Sequence, residues 1–246
     1  MEASNILVYD GSFNGFLSAV YLAFDEPLQA ADIRSAKDRQ KTLFADAVEV
    51  PTDLVKAKRV WDGIERKQYQ AVKKIYFVFL SERKGIEFLL FRYIRILFNR
   101  PLEGENEKIE DLMSKLDALA YLVEQEKKQV EAGFKFNQSE ATCSVATIEP
   151  QFNILPLITR HLRYRYSDIP WLVYDHKRRY GLYYHQHSRQ ILRLGRQETE
   201  LFLQQDPGFP MQPLYLHEEQ IVKKRHNPSH ANRDRSKGVL HQSSAA

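Results

Sequence analysis

A single cysteine, Cys143, stands in the 246 residues, so neither an intrachain disulfide nor a thiolate-based zinc site can form. That count fits a reducing compartment, and Cys143 reads as a small buried residue. No stretch of about 18 uncharged apolar residues occurs, which argues against a membrane-spanning helix. Residues 1–13, MEASNILVYDGSF, have neither the basic flank nor the apolar run of a secretory signal. A cytoplasmic protein without a membrane partner is therefore expected. Neither G-x-G-x-x-G nor a Walker sequence is present, so a nucleotide fold is not indicated and no cofactor is expected.

What is present is globular. The 43% hydrophobic and 28% charged content argues against general disorder, and 12% aromatic content demands a core or a stacking partner. Charge is uneven: residues 1–159 carry 21 Lys/Arg against 24 Asp/Glu, whereas residues 160–246 carry 15 against 8. Within 160–196 the balance is nine cations to two aspartates, a clustering that attracts phosphate or simply forms a solvated surface.

Ile6-Leu7-Val8-Tyr9 reads as a strand, and Asp10-Gly11-Ser12 as a turn capping a helix with Phe13, Phe16, Leu17, Val20 and Phe24 on its apolar face. A connection from Pro27 to Val50 leads to a helix capped by Thr52 and bearing Leu54, Val60, Trp61 and Ile64. Further helices are expected over 68–81, after Gly85 to Phe98, and over 105–131. The helix after Gly85 is apolar on most faces, and Arg92 and Arg95 on it require carboxylates or phosphates if buried. Beyond Gly133 the β-type runs Phe134–Phe136, Cys143–Ile148, Trp171–Tyr174 and Tyr180–Tyr184 predict a small antiparallel sheet, with a helix over Pro156–Tyr166. The expected class is α+β: a helix-rich first part with a small, mainly antiparallel sheet in one domain, 1–205, followed by an irregular basic tail, 206–246. Trp61, Phe88, Leu89, Ile94, Leu97 and Trp171 are expected to share one core.

His161-Leu162-Arg163-Tyr164-Arg165-Tyr166 and Asp175-His176-Lys177-Arg178-Arg179-Tyr180 mix cations for phosphates with rings for bases. Arg163, Tyr164, Arg165, Lys177, Arg178, Arg179, Tyr183 and Tyr184 are the candidate nucleic-acid contacts; Tyr180 and Tyr184 face one way on their strand and Tyr183 the other, so only part of the aromatic set can meet a ligand, and the alternative is that one tyrosine face is core. Asp10, Glu149, His161 and Asp175 are the groups available for acid–base or metal-assisted hydrolysis, but no spacing rule joins them. All eight histidines follow residue 160; His185 and His187 can share a strand face, but no fixed third ligand follows and a metal site is not expected.

Several segments carry a resemblance. Tyr9-Asp10-Gly11-Ser12-Phe13, Gly85-Ile86-Glu87, Arg92-Tyr93-Ile94-Arg95, Ile148-Glu149-Pro150, Asn153-Ile154-Leu155-Pro156-Leu157-Ile158, His161, Trp171-Leu172-Val173-Tyr174-Asp175, Lys177-Arg178 and Tyr180-Gly181-Leu182-Tyr183-Tyr184 resemble an uncharacterised DNA-metabolism and repair family. That family is associated with a radical S-adenosylmethionine protein, and some relatives are fused to uracil-DNA glycosylase. Gln151-Phe152 departs from its more acidic or His-containing wording. The resemblance implies DNA as a partner, together with a radical S-adenosylmethionine protein; lacking C-x-x-x-C-x-x-C, this chain is not that enzyme itself. Three readings follow: a DNA-binding accessory protein, a DNA-processing enzyme using Glu149, Asp175, Asp10 or His161, and a protein-interaction scaffold presenting the long charged helix.

Overall fold

A computed structural model describes residues 6–25, 32–36, 47–101, 109–136, 143–185, 187 and 190–199. The reading of 206–246 as an irregular tail lies outside these residues.

Strand β1 (Ile6–Tyr9) is buried along its whole length, as an uninterrupted apolar run in the middle of a parallel sheet must be. Helix α1 (Phe13–Asp25) follows it. Strands β2 (Asp32–Ser35) and β3 (Ala47–Glu49) then flank β1, both parallel to it, with Leu7 opposite Ile33 on one side and Val48 on the other. Both fall in the segment read as a connection. β2 alternates polar with buried residues and β3 is three exposed residues long, so their strand character comes from pairing with β1 rather than from local pattern.

Helix α2 (Leu54–Lys67) is capped by Asp53, whose carboxylate accepts from the Val55 and Lys56 amides at 2.9 and 3.1 Å. Thr52, the expected cap, instead donates its hydroxyl to Asp10. Helices α3 (Tyr69–Leu80), α4 (Ile86–Leu97) and α5 (Ile109–Gly133) follow the expected spans within a few residues. The Lys73 ammonium bonds Glu124 at 2.8 Å between α3 and α5, and this bond leads the influences that hold the Glu124 carboxyl below its ordinary pKa.

The remaining elements are β4 (Ser144–Ile148), α6 (Leu155–Arg165), β5 (Trp171–Asp175), β6 (Tyr180–His185) and β7 (Gln190–Leu194), in a second sheet of order β4-β5-β6-β7. The expectation of one small, mainly antiparallel sheet is corrected here. There are two sheets, one wholly parallel and one mixed, because β4 and β5 run parallel while β5–β6 and β6–β7 are antiparallel hairpin pairs. The physical cause is α6. A helix between two strands brings the chain back to the same edge pointing the same way, whereas only a tight turn reverses it. Phe134–Phe136 is not a strand; Phe136 lies 4.8 Å from the Tyr166 ring and 6.2 Å from Trp171, so these aromatics pack rather than pair.

One apolar cluster runs from Leu7 to Tyr184 and contains Trp61, Ile94 and Trp171, with Leu89 and Leu97 packed on its margin. Phe88 departs from expectation: it is half-buried, with the Arg92 guanidinium 5.9 Å above its ring. Phe13 anchors the first half of the core, within 5.4 Å of Trp61 and 5.0 Å of both Tyr76 and Phe79, all in edge-on geometry. Among the described residues no helix is long and apolar enough to cross a membrane.

Candidate nucleic-acid interface

The turn after β1 stands at the carboxyl ends of a parallel sheet, between strands whose neighbours lie on either side, the place where such folds usually bind ligands. Here the chain's own carboxylate sits at the head of α1. Asp10 accepts from the Ser12 amide and from the Thr52 hydroxyl, both at 2.8 Å, and the Ser12 hydroxyl accepts from the Gly15 amide at 2.9 Å. Gly11, at φ +86°, allows the turn. Ser12 thus caps α1, while Asp10 closes the turn before it and ties it to the β3 side through Thr52. Gly15 is required for this arrangement, because a Cβ there would stand 2.2 Å from Asp10 Oδ1 and 2.9 Å from Thr52 Oγ1. Gly15→Ala is expected to expel the Asp10 carboxylate and destabilise the fold by about 1–3 kcal/mol. Denaturant unfolding checks this; a variant as stable as the parent would show that the turn yields freely.

The later signature segments converge on Arg178. Asp175, at the end of β5, is fully buried and accepts from the Arg178 amide and from Arg178 Nη1, both at 3.0 Å. Arg178 Nε donates to Glu82 at 2.7 Å, Nη1 also to the Pro150 carbonyl at 3.2 Å, and Nη2 to the Gln151 carbonyl at 2.9 Å. Asn153 extends the set, donating to Glu82 at 3.0 Å and accepting from the Tyr180 hydroxyl at 2.6 Å. Burial by itself would lower the Arg178 pKa, yet the Glu82 and Asp175 carboxylates outweigh it and hold the pKa above its ordinary value. Burial likewise raises that of the Tyr180 hydroxyl. Two non-glycine residues of this knot are left-handed, Glu82 at φ +50° and Arg179 at φ +56°.

This geometry sorts the candidate acid–base residues. Ile148 is opposite Asp175, so Glu149 lies just beyond the end of the same strand pair; it is exposed, whereas Asp175 is committed to Arg178. His161 is half-buried on α6, and among the described residues its buried Nε2 has no hydrogen-bond partner. Asp10 belongs to the other sheet's end. Strand pairing brings Glu149 beside Asp175, but Asp175 is committed to its ion pair with Arg178, so the two form no open carboxylate pair.

The candidate nucleic-acid residues also separate. Tyr183 and Tyr184 are 5% and 1% exposed, so neither ring can meet a base in this conformation. Tyr184 stacks on Trp171 at 5.3 Å and donates to the Ser167 carbonyl, while Tyr183 packs with Cys143, Leu172, Leu192 and Leu194. Burial pushes the Cys143 thiol up to about 11, as its buried reading requires. Arg178 is an internal brace. Lys177 and Arg179 are exposed at the β5–β6 turn, although Lys177 also donates to the Gln151 carbonyl at 3.0 Å.

On α6 the opposite holds. Tyr164 is 88% exposed, and Arg160, three and four residues before Arg163 and Tyr164, shares their helix face. Arg165 is exposed, with its guanidinium 5.7 Å from the Tyr166 ring. Among the described residues, none of Arg160, Arg163 and Arg165 forms an ion pair. Arg160 was not singled out by the sequence pattern, though its spacing from Tyr164 on a helix was the available signal. The end of α6 leads into the first residue of β5 and the β5–β6 turn leaves its last, so the five residues of β5, about 13 Å at some 3.3 Å per residue, run between them.

His185 and His187 approach with ring centroids 5.5 Å apart, and among the described residues no group of three potential ligands gathers. Fold and sites together define an α+β protein with a parallel and a mixed sheet, an arginine-centred knot and a basic helix face. The chain belongs to the family of the domain of unknown function DUF4130, which matches residues 84–235, from the start of α4 through the whole second sheet and beyond. No curated protein matches the chain.

Proposed function

We propose that the protein binds nucleic acid, DNA by the family resemblance, through the exposed face of α6, and acts with a radical S-adenosylmethionine partner in DNA metabolism or repair. One observation carries the binding surface: Tyr164 is 88% exposed on the same helix face as Arg160 and Arg163. An aromatic ring in water gains nothing from burial within the fold, whereas between cations it offers a stacking platform beside phosphate contacts. The partner and the DNA context rest on the resemblance of the signature segments.

Tyr164→Ala is expected to weaken single-stranded DNA binding by about 1–3 kcal/mol for one stacked base, and duplex binding less. Replacing Arg160, Arg163 and Arg165 by Ala is expected to flatten the logarithmic salt dependence by about 0.7 for each single-strand phosphate that the variant no longer neutralises. Fluorescence titrations over a range of salt measure both. Unchanged affinity and slope in the triple variant would remove α6 as the interface and leave the scaffold reading ahead.

A further inference from the structure

We infer that Arg178, Lys177 and Arg83 form a second phosphate site for a nucleic-acid backbone, and that Glu82 occupies it as a latch. Lys177 Nζ and Arg178 Nη2 donate to the same Gln151 carbonyl at 3.0 and 2.9 Å, which holds the two cations side by side. The Arg83 guanidinium lies 5.6 Å from the ring of Phe152, the next residue. Three cations therefore surround one stretch of backbone.

The carboxylates facing them are not equivalent. Asp175 is fully buried, and Glu126 gives its two oxygens to the Gln151 and Phe152 amides at 2.6 and 2.8 Å. Glu82 is the replaceable one. Its side chain is 43% exposed, while that of its partner Arg178 is only 10% exposed. Its backbone is left-handed, at φ +50°, in the position just after the α3 cap Ser81 where glycine is the favoured residue. Its carboxylate is held there only by Arg178 and Asn153 among the described residues. A phosphate oxygen suits the same guanidinium edge as a carboxylate oxygen and carries charge that Lys177 and Arg83 can share. The outward-facing Arg178 Nε is thus held by an internal mimic of the ligand.

This inference rests on nucleic-acid binding as the protein's role but not on α6, which lies at the other end of β5. Oligothymidylate binding at low salt is compared in the parent, Glu82→Gln, Glu149→Gln, and Glu82→Gln combined with Ala at Arg160, Arg163 and Arg165. Removing the latch is expected to tighten binding about fivefold, the worth of one exposed ion pair, and the gain is expected to persist when α6 is neutralised. Glu149→Gln removes an equal charge from an exposed neighbour and leaves the latch intact. If it tightens binding as much as Glu82→Gln, or if Glu82→Gln brings no gain, the latch is refuted. The α6 reading fails separately, if neutralising α6 costs no affinity. Should Glu82→Gln misfold, Glu82→Gly, which suits the left-handed backbone, replaces it with the same expected gain.

Discussion

Replacing Arg178 by Ala is expected to cost about 3–5 kcal/mol of stability, a large part of what a domain possesses. The loss comes from what is left behind more than from what is removed. Asp175 is fully buried and receives Arg178 Nη1 at 3.0 Å; without the guanidinium, its charge stays in the interior with only the residue-178 amide as a donor among those described. The same deletion leaves Glu82 to Asn153 and strips a donor from each of the Pro150 and Gln151 carbonyls, loosening the join between the α3–α4 corner, the β4–α6 loop and the β5–β6 turn. Chemical denaturation followed by far-ultraviolet circular dichroism measures the effect. Because an unpaired buried charge is the cause, changing Asp175 to Asn in the Arg178→Ala background is expected to recover part of the loss. A single variant within about 0.5 kcal/mol of the parent, the range of ordinary surface changes, would show that water reaches Asp175 and that the knot is not structural.

Trp171→Ala carries an equal expectation, about 3–5 kcal/mol, for a different reason. Trp171 is fully buried, stacked at 5.3 Å on Tyr184 and 6.2 Å from Phe136, so truncation opens a cavity lined by rings that cannot collapse without leaving their own neighbours. Trp171→Phe is expected to cost far less. It keeps an aromatic ring on Tyr184 and removes the indole Nε1, a buried donor without a hydrogen-bond partner among the described residues. Comparable losses from Ala and Phe would mean that the site requires the full indole shape. Circular dichroism is again the suitable readout, since the chain has only two tryptophans and the substitution removes one of the fluorophores.

These two side chains fix the two ends of β5, beyond which the two proposed surfaces lie. Trp171 and Asp175 are the first and last residues of β5, one stacked on Tyr184 of β6 and the other tying the far end of the strand to Arg178. The length of β5, about 13 Å at some 3.3 Å per residue, separates those two ends. Nucleic acid engaging both would have to follow that separation.

Local sequence alone determined the helices after Gly85 and over 105–131, the burial of Cys143, the turn at Asp10-Gly11-Ser12 and the clustering of cations after residue 160. Each depends on near neighbours in the chain: apolar spacing, a turn triplet, local charge. The α+β class was legible for the same reason. Tertiary structure decided the rest. β2 and β3 became strands because a buried β1 supplies their hydrogen bonds, and β4 runs parallel to β5 because α6 returns the chain to the same edge. Tyr183 and Tyr184 turned from candidate stacking rings into core because both faces of β6 are covered, whereas Tyr164, spaced like any helical residue, was left in water. Arg178 looked like one more cation in a basic run until Glu82, 96 residues earlier, and the buried Asp175 closed around it. Partner choice for a charged group depends on which distant segments share its desolvated space, and that is set by packing rather than by sequence spacing.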